Sequence, residues 1–165
     1  MSASLAFAAC GGSAKVAVTT TTTLPPLTLP VSLSAVESFF HGQGGGGWKP
    51  NALSSSVFFS FDGTAQDNGT CPTSISGPGG ATAVAILGLH CATAGPPNTT
   101  FQQAAALFVA TVQKFAPAGA LWTEEALRTN TSVSRKKTFG NAVIEVDIAP
   151  VQETADLIIS AKGFP

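Results

Sequence analysis

The chain has 165 residues, enough for one domain of ordinary size. Hydrophobic residues make up 44 % of it, charged residues only 10 %, and the formal net charge at pH 7 is −1. Such a chain lacks the basic footprint of nucleic-acid binding, so we expect no nucleic-acid partner. No apolar stretch reaches the about 20 residues that a membrane-spanning helix needs, so the sequence predicts no transmembrane helix.

The first segment, MSASLAFAACGGSAK, is an apolar run that ends at Cys10. Its stretch LAFAACGGS resembles the end of a bacterial lipoprotein signal peptide, with small residues at Ala8 and Ala9 before the cysteine and a Gly-Gly-Ser continuation. The resemblance implies that residues 1–9 are the remainder of an export signal and that the Cys10 thiol carries a diacylglycerol. The alternatives are an ordinary secretion cut after Ala8, at an A-x-A pattern, and an apolar tail without a signal.

The segment after Cys10, AKVAVTTTTTLPPLTLP, combines a run of threonines with prolines. Proline removes a backbone donor, fixes φ and biases the preceding residue toward extended geometry, so a helix is excluded here. Residues 10–30 are therefore predicted to form a disordered tether, extended by about 3 Å per residue where it is polyproline-like. A β-edge strand over residues 15–23 is the alternative, because Val and Thr favour strands.

The cysteine count is odd, since Cys10, Cys71 and Cys91 are present. If the lipid takes Cys10, Cys71 and Cys91 remain as a pair, and we expect them to form a disulfide in an exported protein. Closing that loop stabilises a fold by about 3 kcal/mol in the chain-entropy model. Two buried, reduced thiols are the alternative. The sequence has no CxxC motif, so we expect no metal site.

From residue 31 to residue 165 the sequence predicts a single folded domain. Its predicted elements in chain order are a helix over 32–40, a strand over 56–62, a long loop over 63–80, a buried strand over 81–91, a helix over 100–115, a shorter helix over 123–128, a strand or loop over 132–138, and strands over 141–148 and 156–162. This order predicts an α+β fold, with a mostly antiparallel sheet packed against two or three helices.

Two local signals refine the predicted helices. Ser34 and Glu37 fit a capping box at the start of the first helix, and Thr100 and Gln103 fit one at the start of the long helix. The strand over 141–148 is predicted to be half-buried, because apolar and acidic residues alternate along it.

Candidate functional residues are few. His41 and His90 are the chain's two imidazoles. His90 follows apolar residues and precedes Cys91, so we expect a buried, hydrogen-bonded side chain, whereas His41 ends a helix, where a cation suits the dipole. Neither belongs to a G-x-S-x-G or HExxH motif, so no catalytic residue and no cofactor is predicted.

Two further features bear on binding. Trp48 follows the glycine cluster GQGGGG, which lacks the Lys-Ser/Thr of a phosphate loop. Trp48, as an aromatic residue at the end of this loop, and His41 are candidate ligand contacts. Packing of Trp48 against the domain edge is the alternative. The basic cluster over residues 135–137 is expected to be a solvated face or to attract anionic lipid headgroups.

These observations predict a lipid-anchored extracytoplasmic domain of the bacterial cell envelope, held to the cell membrane or the outer membrane through Cys10. Its expected role is binding or protein interaction, with an envelope protein or a small ligand as partner. The alternative is a secreted or envelope-located hydrolase that uses His41 or His90. The non-enzymatic role is favoured, because no catalytic motif is present.

Overall fold

The computed structural model describes residues 28–66, 71–79, 82–94, 99–128 and 131–164. Within these ranges the chain forms three α-helices and seven strands. The helices are α1 (Leu33–Gly42), α2 (Phe101–Phe115) and α3 (Ala120–Ala126), and a 3-10 turn (Pro117–Gly119) precedes α3. The strands are β1 (Gly46–Pro50), β2 (Phe58–Thr64), β3 (Pro72–Pro78), β4 (Ile86–Ala92), β5 (Val133–Phe139), β6 (Ala142–Ala149) and β7 (Thr154–Ala161).

The described strands form one antiparallel sheet in the order β1-β2-β3-β4-β7-β6-β5. Strands β1 to β4 make one meander and β5 to β7 make another, and the pairing of β4 with β7 joins the two. Helices α2 and α3 lie between the meanders in sequence and pack with α1 against one face of the sheet. The predicted α+β architecture is confirmed.

The core lies between the helices and this face of the sheet. Every second residue of β6 and β7 is buried, namely Ala142, Ile144, Val146, Ile148, Ala155, Leu157, Ile159 and Ala161. The helices contribute chiefly aromatic and aliphatic side chains at helical spacing, among them Val36, Phe40, Phe101, Leu107, Phe108, Val112 and Phe115. The period of two along the strands and the longer helical period therefore meet in one apolar layer.

The helix starts follow side-chain capping. The capping box of α2 is confirmed: Thr100 Oγ1 accepts a hydrogen bond from the Gln103 amide, and Gln103 Oε1 accepts one from the Thr100 amide at 2.9 Å. The capping box predicted at Ser34 is wrong. Helix α1 begins after Ser32, whose Oγ accepts from the Ala35 amide at 3.2 Å, so Ser34 lies inside the helix.

Two strands were not predicted, α3 lies two to three residues earlier than predicted, and α1 ends two residues later than predicted. The loop predicted over 63–80 contains β3, in which serine, threonine, glycine and proline outnumber the apolar Ile75. Strand β1 occupies the end of the glycine run, where composition favours a break. Both form because their neighbours offer backbone partners, a tertiary effect that outweighs local propensity. Helix α3 begins at Ala120 rather than at residue 123 and has no acidic residue in its first turn.

The packed structure begins before residue 31. Leu29 is 2 % exposed, and its amide donates to the Val84 carbonyl at 2.7 Å. Residues 28–30, assigned to the tether from sequence, therefore belong to the described fold. The predicted signal remainder, Cys10 and the tether over residues 11–27 lie outside the described residues.

Candidate functional site

The face of the sheet opposite the helices carries a groove in its middle. Its volume is about 470 Å³, and the residues that bear on its chemistry are Asp62, Ser74, Gly88, His90, Asp156 and Ile158. We call it the open-face groove. These side chains alternate along their strands with residues that point into the core, so the same period that builds the core also builds the groove.

Strand register places the groove residues side by side. Ser74 of β3 is opposite Gly88 of β4, Gly88 is opposite Ile158 of β7, and His90 is opposite Asp156. Gly88 has no side chain that would fill the bottom of the groove. A Cβ at this position would lie only 2.9 Å from Ser74 Oγ. Ile158, at 39 % exposure, is a large apolar side chain beside these polar groups.

His90 and Asp156 form the polar centre of the groove. His90 Nδ1 and Asp156 Oδ1 are in hydrogen-bond contact, and the two side chains are 56 % and 33 % exposed. An exposed pair of this kind adds little to stability, because water and salt screen it. In the neutral imidazole, an Nδ1–H that donates to Asp156 leaves Nε2 as an acceptor for a bound molecule.

Asp62 supplies a second carboxylate, held in place from the edge of the sheet. Asn51 Nδ2 donates to Asp62 Oδ1 at 2.9 Å and to Ser60 Oγ at 2.8 Å. The side chain of Asp62 is thereby oriented while its residue stays exposed. With Asp62 and Asp156 against one imidazole, the groove favours ligands that donate hydrogen bonds or carry positive charge.

His90 was predicted to be buried, and this prediction is wrong. Strand β4 begins at Ile86 rather than at residue 81; it is central in the sheet, as expected, but it has helices on one face alone. His90 falls on the other face, one position from the buried Cys91. The apolar run of β4 therefore reflects burial of alternate residues only, and Ile86 and Gly88 also lie on the groove side.

The candidate contacts His41 and Trp48 lie together in a second groove, of about 600 Å³, between the end of α1 and the start of β1. Much of the Trp48 ring packs inward: its centroid is 6.0 Å from that of Phe40, and a Cβ at Gly63 would lie 2.4 Å from Trp48 Cε3. Trp48 Nε1 is buried and has no hydrogen-bond partner within the described ranges. Trp48 therefore packs against the edge of the domain and also lines the second groove beside His41.

The structure pairs Cys71 with Cys91 at a sulfur–sulfur distance of 2.05 Å. Cys71 comes immediately before β3, and Cys91 lies near the end of β4, on the core side of both strands. The pair therefore ties together the two strands that carry Ser74, Gly88 and His90. Cys10, the predicted lipidation site, lies outside the described residues.

Sequence reasoning missed Asp62, Ser74, Asp156 and Ile158 as site residues. Each looks like an ordinary polar or apolar residue along its own strand. Only the antiparallel pairing of β4 with β7 brings Asp156 to His90, and that pairing joins distant parts of the chain. The alternation along β7, with Asp156 and Ile158 off the core face, was the one local signal available.

No group of three or more His, Cys, Asp or Glu side chains within the described ranges is arranged to hold a metal ion. In the same part of the chain, none of the helices is long and apolar enough to cross a membrane. Comparison with protein-family models, curated proteins and solved structures finds no match to this chain.

Proposed function

We propose that this chain is a lipid-anchored binding or protein-interaction domain of the bacterial cell envelope and that the open-face groove is its binding site. The observation that carries the proposal is the groove itself: Asp62 of β2, His90 of β4 and Asp156 of β7 line it on a sheet face that the described helices leave uncovered. A ligand that donates hydrogen bonds to the carboxylates and covers Ile158 fits this surface.

Two features support an extracytoplasmic location. The stretch LAFAACGGS resembles a lipoprotein signal end, and the pairing of Cys71 with Cys91 suits an oxidising compartment. The low content of charged residues, 10 %, agrees with a surface whose polarity comes from hydroxyl and amide groups.

Mass spectrometry of the mature protein from the bacterium that encodes it tests the anchor. We expect an N-terminal Cys10 that carries a diacylglycerol, and a Cys10→Ser variant that moves to the aqueous phase in a detergent phase separation. An unmodified thiol at Cys10, or a chain that still begins at Met1, would contradict the anchor.

Site-specific photocrosslinking in living cells tests the groove. A benzoylphenylalanine in place of Ile158 lies in the groove, whereas one in place of Val151, which is 88 % exposed in the turn between β6 and β7, serves as control. We expect an adduct of defined mass from position 158 that disappears when His90→Ala and Asp156→Asn are added. Equal labelling at both positions, or none at 158, argues against the groove as the site.

A hydrolase is the second candidate, and one observation favours it. Ser74, His90 and Asp156 line the same groove, and the imidazole contacts the carboxylate through Nδ1, as in Ser-His-Asp catalysis. Within the described ranges, however, no hydrogen bond joins Ser74 to His90. His41, the other imidazole proposed as a base, lies in the second groove beside Glu37 and Ser38.

A fluorophosphonate probe and a panel of p-nitrophenyl esters separate the two candidates. A hydrolase predicts covalent labelling of Ser74 and ester turnover that His90→Ala abolishes and His41→Ala leaves unchanged. A binding domain predicts no labelling of Ser74 and turnover no greater in the wild-type protein than in the His90→Ala variant.

A further inference from the structure

Strand β5, at one edge of the sheet, carries basic side chains on both of its faces. Arg135 is paired with the buried Val146 and Lys137 with the buried Ile144, so both basic residues lie on the helix side of the sheet. Lys136 lies on the opposite face, where its Nζ is 2.9 Å from Glu145 Oε2. The two helix-side cations have no ion pair within the described part of the chain.

Aromatic side chains lie beside Lys137, one of these two cations. Lys137 Nζ lies 5.3 Å from the ring centroid of Phe139, and the ring of Trp122 lies 5.7 Å from that of Phe139. The residue before Trp122 is Leu121, which is 82 % exposed. Leu121, Trp122, Arg135, Lys137 and Phe139 together form what we call the basic–aromatic patch.

The geometry of α3 brings these residues together. The 3-10 turn before α3 ends at Gly119, where a Cβ would lie 2.1 Å from Ile144 Cδ1 and 3.1 Å from Phe139 Cδ2. The absence of a side chain lets the start of α3 sit against β6 and the end of β5. Glu124 and Glu125 are both exposed further along α3.

The N-terminal segment joins the domain beside this patch. Asn141 Nδ2 donates to the Thr28 carbonyl at 2.8 Å, and Asn141 is two positions after Phe139, in the turn between β5 and β6. Residues 1–27, which include Cys10 and the Thr/Pro-rich stretch, therefore lead into the fold at the end of β5. The segment that would carry a lipid at Cys10 therefore joins the domain on the side of the patch.

We propose that the basic–aromatic patch docks on an anionic lipid surface and holds the domain against the membrane to which it is anchored. This proposal rests on the proposed function, which anchors the domain beside a membrane. The exposed Leu121 and the half-buried Trp122 would insert at the headgroup level, and the Lys and Arg of the patch would attract anionic headgroups while their stems cover apolar surface. With the patch on the membrane, the open-face groove, on the other side of the sheet, faces away from the lipid.

Flotation of the full chain with lipid vesicles tests the proposal. The chain carries Cys10→Ser, so that no lipid anchor contributes, and the vesicles contain phosphatidylcholine with or without phosphatidylglycerol. We expect the chain to bind only those vesicles that contain phosphatidylglycerol, and to bind them more weakly as the salt concentration increases. The double variant Arg135→Ala/Lys137→Ala should bind about 25-fold more weakly, since each basic side chain near an anionic surface contributes about a fivefold factor.

The chain offers a matched control for charge. Lys137→Ala and Lys49→Ala remove the same charge, but Lys49 lies in β1, at the opposite edge of the sheet. Lys137→Ala should weaken vesicle binding about fivefold, and Lys49→Ala should leave it unchanged. Equal losses of binding in the two variants would mean that binding depends on net charge and not on the patch, and would overturn the proposal. Equal binding to both kinds of vesicle would also overturn it.

Tryptophan quenching by lipids with a spin label in the upper acyl chain gives an independent readout. In a Trp48→Phe variant the remaining Trp122 should be quenched on vesicle binding, and in a Trp122→Phe variant the remaining Trp48 should not. The reverse pattern would overturn the proposal. These measurements use an unlipidated chain, so a failure here is distinct from a failure of the anchor, which the mass of Cys10 reports.

Discussion

Gly119 lies where the start of α3 packs closely against the sheet. Its missing side chain leaves the space that Ile144 and Phe139 occupy, so one residue sets the distance between α3 and the end of β5. Gly42, the last residue of α1, is the opposite case, since a Cβ there would meet no atom within 4 Å. The same residue type thus has a packing role at one position and none at the other.

This contrast yields a prediction. Gly119→Ala should lower the free energy of unfolding by about 1–3 kcal/mol, because an added methyl group overpacks the contact with Ile144. Gly42→Ala should leave it unchanged or raise it by up to about 1 kcal/mol, because the substitution restricts only the unfolded chain. Urea unfolding of both variants checks this; equal effects would mean that the close approach at Gly119 is relieved without cost.

Asp147 and Asp156 are directly opposite each other on the groove side of β6 and β7. Like charges at opposed positions destabilise a strand pair, although His90 contacts Asp156 from the other side. We predict that Asp147→Asn raises the free energy of unfolding by about 0.2–1 kcal/mol at neutral pH. The gain should shrink in high salt, where the repulsion is screened, and a gain independent of salt would point to a different cause.

At the scale of elements, the start of the first helix depends on which of two nearby serines is the N-cap. Both Ser32 and Ser34 are residue types that can cap a helix. Ser32 is the N-cap because its backbone is extended. The residue with extended φ and ψ caps the helix, and Ser34, two positions later, is already inside it.

We therefore predict different effects for two serine substitutions. Ser32→Ala should destabilise the protein by about 1 kcal/mol, because the Ala35 amide loses its side-chain acceptor. Ser34→Ala should change stability by less than about 0.5 kcal/mol, as is usual for an exposed surface position. Thermal unfolding of the two variants distinguishes the caps, and a larger loss at Ser34 would restore the capping box expected from sequence.

The pair of Cys71 and Cys91 links the start of β3 to the end of β4. We predict that Cys71→Ala/Cys91→Ala lowers the free energy of unfolding by about 3 kcal/mol, through the added freedom of the unfolded chain. A reducing agent should destabilise the wild-type protein by a similar amount and should not affect the double variant. A wild-type protein that is indifferent to the reductant would contradict a bond in the isolated protein.

Across the whole molecule, the sequence predicted what depends on local period and missed what depends on pairing. The α+β class, helix α2 with its capping box, and β6 with its buried Ile144 follow from spacing alone. Strand β3 did not, because Ser, Thr and Gly carry no apolar alternation, and it forms between two established partners. The groove was missed for the same reason, since Asp156 reaches His90 only through β4 and β7.

The connection of β3 to β4 also has a consequence for the order of events during biosynthesis. Both cysteines, and both strands they join, lie within residues 71–92, ahead of α2 and the second meander. Under the proposed export, an oxidant of the outer compartment can therefore take two electrons and two protons from the two thiols and join this hairpin while residues 100–165 are still emerging. The strand β4 that β7 later joins would by then be cross-linked to β3, a finished edge on which the second half of the sheet assembles.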